Sequence, residues 1–300
     1  MSAVQKQIRK LYAFNALGNL SIAGAAWVLL LVSRGFTLIQ VGVAETVFHL
    51  VSITAEIPSG VFADVMGRKK SLMVSCVMGI LSALTMAFWT SFTGVCVSIA
   101  FSALTYNFAS GTDSALAYDT LLEHRCADQY DHYVSTQTVI YRVSNGIATL
   151  AAGVAVMIGN TAAQMIGIAL DIPRLGLAAG MEENAVVMEN RARMKEKIAV
   201  CCQESLTFLR GNRAVAHLIL RNALVGAVDV LLLFFLQAKL PMTGIADWVL
   251  GPLLFLMSMG GVLGARMSER VKDWPFTRIF LATAALACLG FLAEFTGRGS

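Results

Sequence analysis

Glu45, His49 and Glu56 fall within one apolar run. On a helix turning 100° per residue they project at about 0°, 40° and 20°, a single stripe of two carboxylates and an imidazole. Such groups are costly at bilayer depth and tend to be kept there to carry protons or contact a solute. Solvation near the end of its run is the other reading of Glu45. Asp113 lies about two turns from the polar end of a later run, and Arg142 stands at similar depth in the next, so their charges are expected to meet. Snorkelling to the headgroups is the alternative for Arg142. Asp119 sits about 240° around the helix from Asp113 and must serve another purpose. Asp171 and Arg174, three residues apart, can neutralise each other on one face. Arg221 and Asp229 are separated by about 80° of helical arc and could line one cavity without touching. Asp229, near mid-run, is the candidate ion or solute contact there.

The elements that must position these groups are membrane spans. Of 300 residues, 57% are hydrophobic and 14% charged, and the mean hydropathy is +0.68. Soluble domains carry about 25% charged residues. A span needs roughly 20 apolar residues. Nine runs qualify, at about 11–33, 37–63, 71–91, 93–121, 136–159, 161–180, 214–238, 244–266 and 276–295. With the N terminus in the cytoplasm, seventeen Lys and Arg fall on the inner side, against Arg34, Lys239 and Arg298 outside. The positive-inside rule therefore fixes that orientation. Met194, Ile198, Cys202, Leu206 and Leu209 recur at helical spacing in the charged connection, which reads as a helix on the inner membrane surface or as a solvated linker. The cysteines at 76, 96, 126, 201, 202 and 288 have no metal-ligand spacing, and no metal or cofactor is expected.

Between the second and third runs the chain reads Gly60-Val61-Phe62-Ala63-Asp64-Val65-Met66-Gly67-Arg68-Lys69-Lys70-Ser71-Leu72. The small residues Gly60 and Ala63 would let two helices approach where the first ends, and the basic cluster marks the cytoplasmic headgroups. Gly60, Asp64, Gly67, Arg68, Lys69 and Leu72 resemble the loop between helices 2 and 3 of the major facilitator superfamily, with Val65 where that family usually has Arg. Glu56-Ile57-Pro58-Ser59-Gly60 and the stretch from Ser110 to Leu121 resemble a bacterial group within it. The resemblance implies an all-α integral membrane protein. Its parts would be an N-terminal six-helix bundle (1–180), a cytoplasmic amphipathic linker (181–213) and an incomplete three-helix C-terminal bundle (214–300). Gly261-Val262-Leu263-Gly264-Ala265-Arg266 echoes the region around Gly60, as a parallel repeat would place it. Family members normally continue through three more helices, so the resemblance implies truncation after the ninth. Asp119 is the expected partner of Arg68 or Lys69, a latch broken and remade as the bundle rocks.

The function implied is secondary transport of a small solute by alternating access in the cell's inner membrane, coupled to protons, by a monomer in contact with the bilayer and no nucleic acid. The alternatives are a transport-inactive remnant and a membrane scaffold or sensor that binds solute without carrying it. No Walker loop, HExxH, GxSxG or Rossmann pattern occurs, so neither ATP-driven transport nor an enzyme is supported. Drug/proton antiporters of the family usually carry an Arg in span 4 and a Gly-Pro pattern in span 5, and both are missing here.

Overall fold

A 17-residue helix, α1 (Ala3–Asn19), opens the chain and stops one turn before the first apolar run is half used. The computed structural model describes residues 3–183 and 207–239, with shorter pieces at 200, 203–204, 246, 248–256, 274–275, 277–279, 281–282 and 284–286. Every regular element among the described residues is helical. The run expected at 11–33 is delivered as α1, α2 (Ile22–Ala25) and α3 (Trp27–Ser33). The chain restarts at Ser21, whose hydroxyl accepts from the Gly24 N–H. Such a cap ends one helix by offering the next its first acceptor.

The following runs are helices of 7 to 29 residues. They are α4 (Leu38–Met66), α5 (Arg68–Phe88), α6 (Phe92–Ala109), α7 (Thr112–Glu123), α8 (Tyr130–Leu150), α9 (Ala152–Ile158), α10 (Asn160–Ala179) and α11 (Arg213–Lys239). Thr37 and Gln40 form a reciprocal capping box at the start of α4, and Ser91 caps α6. Among the described residues, four segments are long and apolar enough to cross a bilayer: α4, α5, Phe92–Glu123 and α10. A fifth is counted if the segment ending in α8 and its continuation α9, bent by 43°, are one span. The chain is thus built as a multi-pass membrane protein. The repeat at 261–266 and most of the runs expected at 244–266 and 276–295 and of the 181–213 linker lie outside the described residues.

The chain divides into two units, 1–201 and 202–300. In the first, α5 packs between α6 and α10, and α6 also packs on α4. Serines bind α5 to α6: Ser71 Oγ donates to the Phe108 carbonyl at 2.7 Å, Ser75 Oγ to that of Thr105 at 2.8 Å, and Ser82 and Ser98 each donate to the other's carbonyl at 2.8 Å. Small polar groups of this kind join helices where apolar contact alone gains little over lipid. The core cluster, with Leu11, Phe14, Leu72, Leu116, Leu121 and Tyr133 at its centre, joins α1, α5, α7, α8 and α10. Deeper in the bundle, Asp171 and Arg174 form a 3.2 Å ion pair. The Arg174 guanidinium lies 4.2 Å from the Phe14 ring centroid. A Cβ on Gly18 of α1 would come within 2.8 Å of that guanidinium, and one on Gly79 of α5 within 2.9 Å of the Asp171 carboxylate. Two glycines therefore make room for one ion pair.

Helix ends are closed by side chains from elsewhere. At the C-terminal end of α5, Arg34 donates to the carbonyls of Met86, Trp89 and Thr90, and Asn160 also donates to Met86. At the N-terminal end of the same helix, Glu183 accepts from the backbone N–H groups of Arg68 (2.9 Å) and Lys69 (3.2 Å). A carboxylate is well matched to the exposed N–H groups at a helix start. Gly67, with φ at 113°, makes that approach feasible, because a Cβ there would collide with the Glu183 carboxylate. Its dihedrals lie where non-glycine residues cost about 1–3 kcal/mol. Gly67→Ala is therefore expected to lower the thermal midpoint of the detergent-purified protein by several degrees, measured against Gly42→Ala, where a Cβ meets nothing within 4 Å. Equal midpoints for the two variants would contradict this.

Candidate functional site

A cavity of about 610 Å³ opens among α1, α4, α6, α7, α8 and α10. Its walls are mixed: Asn15 and Asn19 from α1, Phe48 from α4, Ser102, Thr105 and Tyr106 from α6, and Gln137, Thr138 and Tyr141 from α8. Two charged residues line it, Asp113 at the start of α7 and Arg174 on α10. This volume lies in the range of small-molecule sites, which combine apolar walls with a few convergent polar groups.

Asp113 is placed by the break between α6 and α7, where Gly111 has φ 70° and turns the chain. Its carboxylate accepts from Asn15 Nδ2 at 3.0 Å, from Gln137 Nε2 at 3.1 Å and from the Ser114 N–H at 2.7 Å. The expected meeting with Arg142 does not occur. Gln137, Thr138 and Tyr141 present one face of α8 to the cavity, and Arg142 lies about 140° around the helix from Gln137, on an exposed side. Sequence reasoning missed Asn15 and Gln137. Their signal was weak: amides in apolar runs, at positions with no charge to flag them.

The stripe on α4 does not join this cavity, since Phe48 is the α4 residue that lines it. Glu45 and His49 pair with each other at 3.1 Å, His49 being mostly exposed. Glu56 is exposed on the same helix. Arg174 enters the lining although its spacing from Asp171 suggested only structural neutralisation. Arg221 and Asp229 lie on α11 in the second unit, where Arg221 is exposed and the side chain of Asp229 is outside the described residues.

Where α4 gives way to α5, Arg68 Nε lies 2.8 Å from Asp119 Oδ2, while its Nη2 is 3.6 Å from Asp64. Asp119 and Asp113 share the 12-residue α7 but project to different sides, one to the basic loop and one to the cavity. Lys69 meets Glu183 through its backbone. Gly60, expected at a close helix approach, is exposed, and a Cβ there would meet nothing within 4 Å, whereas Ala63 is buried. The small residue that packs is thus Ala63. Among the described residues no group of three or more His, Cys, Asp or Glu could hold a metal ion.

Reversing Arg68 would set an acid beside Asp64 and Glu183, so neutral replacements test the contact more cleanly. A double-mutant cycle of Arg68→Gln and Asp119→Asn is expected to give a coupling energy of about 1 kcal/mol in the unfolding of the purified protein, as for a partly shielded charge-assisted hydrogen bond. Additivity within about 0.3 kcal/mol would show that the pair contributes nothing to stability.

No protein-family model matches the chain. Over 73 residues, 24% of the chain, it is 37% identical to "Uncharacterized MFS-type transporter YxaM" of Bacillus subtilis (strain 168), and the match spans 18% of that protein's length. Part of this multi-pass chain is therefore similar to a transporter of the MFS (major facilitator superfamily) type.

Proposed function

We propose that the protein is a secondary transporter of the major facilitator superfamily, lying in the cell's inner membrane with its N terminus in the cytoplasm. It moves a small solute by alternating access, as a monomer, in exchange or cotransport with protons. The observation that carries this reading is the cavity itself, a polar chamber within a bundle of membrane-capable helices with a carboxylate held in its wall by amides from two neighbouring helices. The similarity to an MFS-type transporter supports it.

In this reading the solute binds in the cavity against Asn15, Asp113, Gln137 and Tyr141. The Arg68–Asp119 contact holds the inner ends of α5 and α7 together in one state and releases them in the other. Asp64 offers Arg68 a second acceptor during that change. The Glu45–His49 pair carries the proton, an imidazole and a carboxylate in contact being groups that can pass one between them. Glu56 extends the same stripe toward the inner end of α4, and Arg142 and the α11 residues Arg221 and Asp229 remain candidate contacts on the solute or proton path.

Uptake of a solute panel into vesicles containing the 300-residue chain tests this. At least one solute is expected to accumulate above its outside concentration under an imposed proton gradient and to fall back to equilibrium when a protonophore collapses it. Glu45→Gln is expected to abolish the accumulation while leaving solute exchange. Accumulation unchanged by the protonophore would refute proton coupling, and no flux of any panel member would refute transport.

A further inference from the structure

The charges around the cavity are unequal in a way that selects a ligand. Two ionised residues line it. The positive one, Arg174, is only 8% exposed: Nη1 meets Asp171 at 3.2 Å and the guanidinium lies over the Phe14 ring, while its buried Nε has no hydrogen-bond partner. Arg174 and Asp171 together are neutral. Asp113 has no such counter-charge among the described residues. Its hydrogen-bond donors are the amides of Asn15 and Gln137 and the backbone and hydroxyl of Ser114, all neutral. The wall therefore carries one net negative charge, which an incoming opposite charge would match.

The groups beside Asp113 favour the same ligand. Gln137 gives Nε2 to the carboxylate, and its Oε1 is buried with no hydrogen-bond partner, so a second acceptor adjoins the cavity beside the first. Phe48 and Tyr106, with ring centroids 6.2 Å apart, and Tyr141 supply aromatic surface. The faces of such rings attract cations. Half of the Tyr106 and Tyr141 surface is exposed, leaving it free to cover a ligand.

Building on the transporter reading, we propose that the cavity takes a monovalent organic cation, an ammonium group on an apolar or aromatic body. Its N–H groups donate to Asp113 and Gln137 Oε1, and its body packs on Phe48, Tyr106 and Tyr141. An anion would face the unmatched carboxylate of Asp113, while the charge of Arg174 is already balanced by Asp171. A neutral alcohol would fill the volume and leave the charge of Asp113 unmatched.

Three probes of nearly equal shape separate these cases: 2-phenylethylammonium, 2-phenylethanol and phenylacetate, each titrated onto the full chain in detergent by calorimetry. The ammonium is expected to bind saturably and about tenfold or more tighter than either of the others. Asp113→Asn is expected to weaken it about tenfold, with Asp113→Glu recovering part of the loss, and Tyr141→Leu to weaken it about threefold. The ranking on the unaltered chain stands even if an Asp113 variant does not fold. Equal affinities, a preference for phenylacetate, or no saturable binding of the ammonium would overturn the assignment. Flux separates this inference from the reading beneath it. Ammonium binding without vesicle uptake upholds the cation site and removes the transporter, whereas uptake of a neutral or anionic solute without ammonium binding does the reverse.

Discussion

The ion pair between Asp171 and Arg174 is the interaction around which the first unit is arranged. Charges buried within a membrane bundle persist only when paired, and removing one partner of such a pair typically costs about 3–5 kcal/mol. Here the pair stands on α10 and reaches two other helices. Arg174 crosses α1 at Gly18 and lies over Phe14, and Asp171 meets α5 at Gly79. The position of α10 against both neighbours is thereby fixed at one depth. That arrangement leaves α1 free to aim Asn15 at Asp113, so a contact made for stability sets the shape of the cavity above it.

Helix α7 links the two candidate functional regions. It is 12 residues long, begins at the left-handed Gly111 and carries Asp113 in its first turn and Asp119 two turns on. Asp113 is held by α1 and α8, and Asp119 by the first residue of α5. A rigid segment this short cannot tilt at one end without moving the other. The buried Leu116, Ala117 and Leu121 between them tie that movement to the core. Cavity and basic loop are in this sense two ends of one lever.

Much of the scaffold was legible in the sequence, because the signals were coarse. Apolar runs of span length gave α4, α5, α6 with α7, and α10 to within a few residues, and Asp171 with Arg174 declared itself by spacing alone. The breaks were harder. The division of the first run at Ser21 and the bend of 43° after Leu150 depend on caps and on packing that periodicity does not report. Side-chain partners were harder still. The charge on Arg142 suggested a match for Asp113, but helix rotation gave that place to Gln137, and uncharged amides carry no label in an apolar run. The stripe on α4 was real as geometry, yet the face of α4 turned to the cavity is that of Phe48. Periodicity orders residues around a helix without saying which way the helix faces.

The serine contacts between α5 and α6 have a consequence for how the chain assembles. Their partners are between 16 and 37 residues apart and the two helices are joined by three residues, Trp89 to Ser91. Closing so short a loop costs little chain entropy, and the hairpin is available as soon as α6 has been synthesised. The contacts that seat α10 against α1 wait for far more chain, since Gln7 finds Glu182 across 175 residues. Helix α1 can thus meet α7 and α8 before α10 is made, and the contacts with α10 close the bundle last.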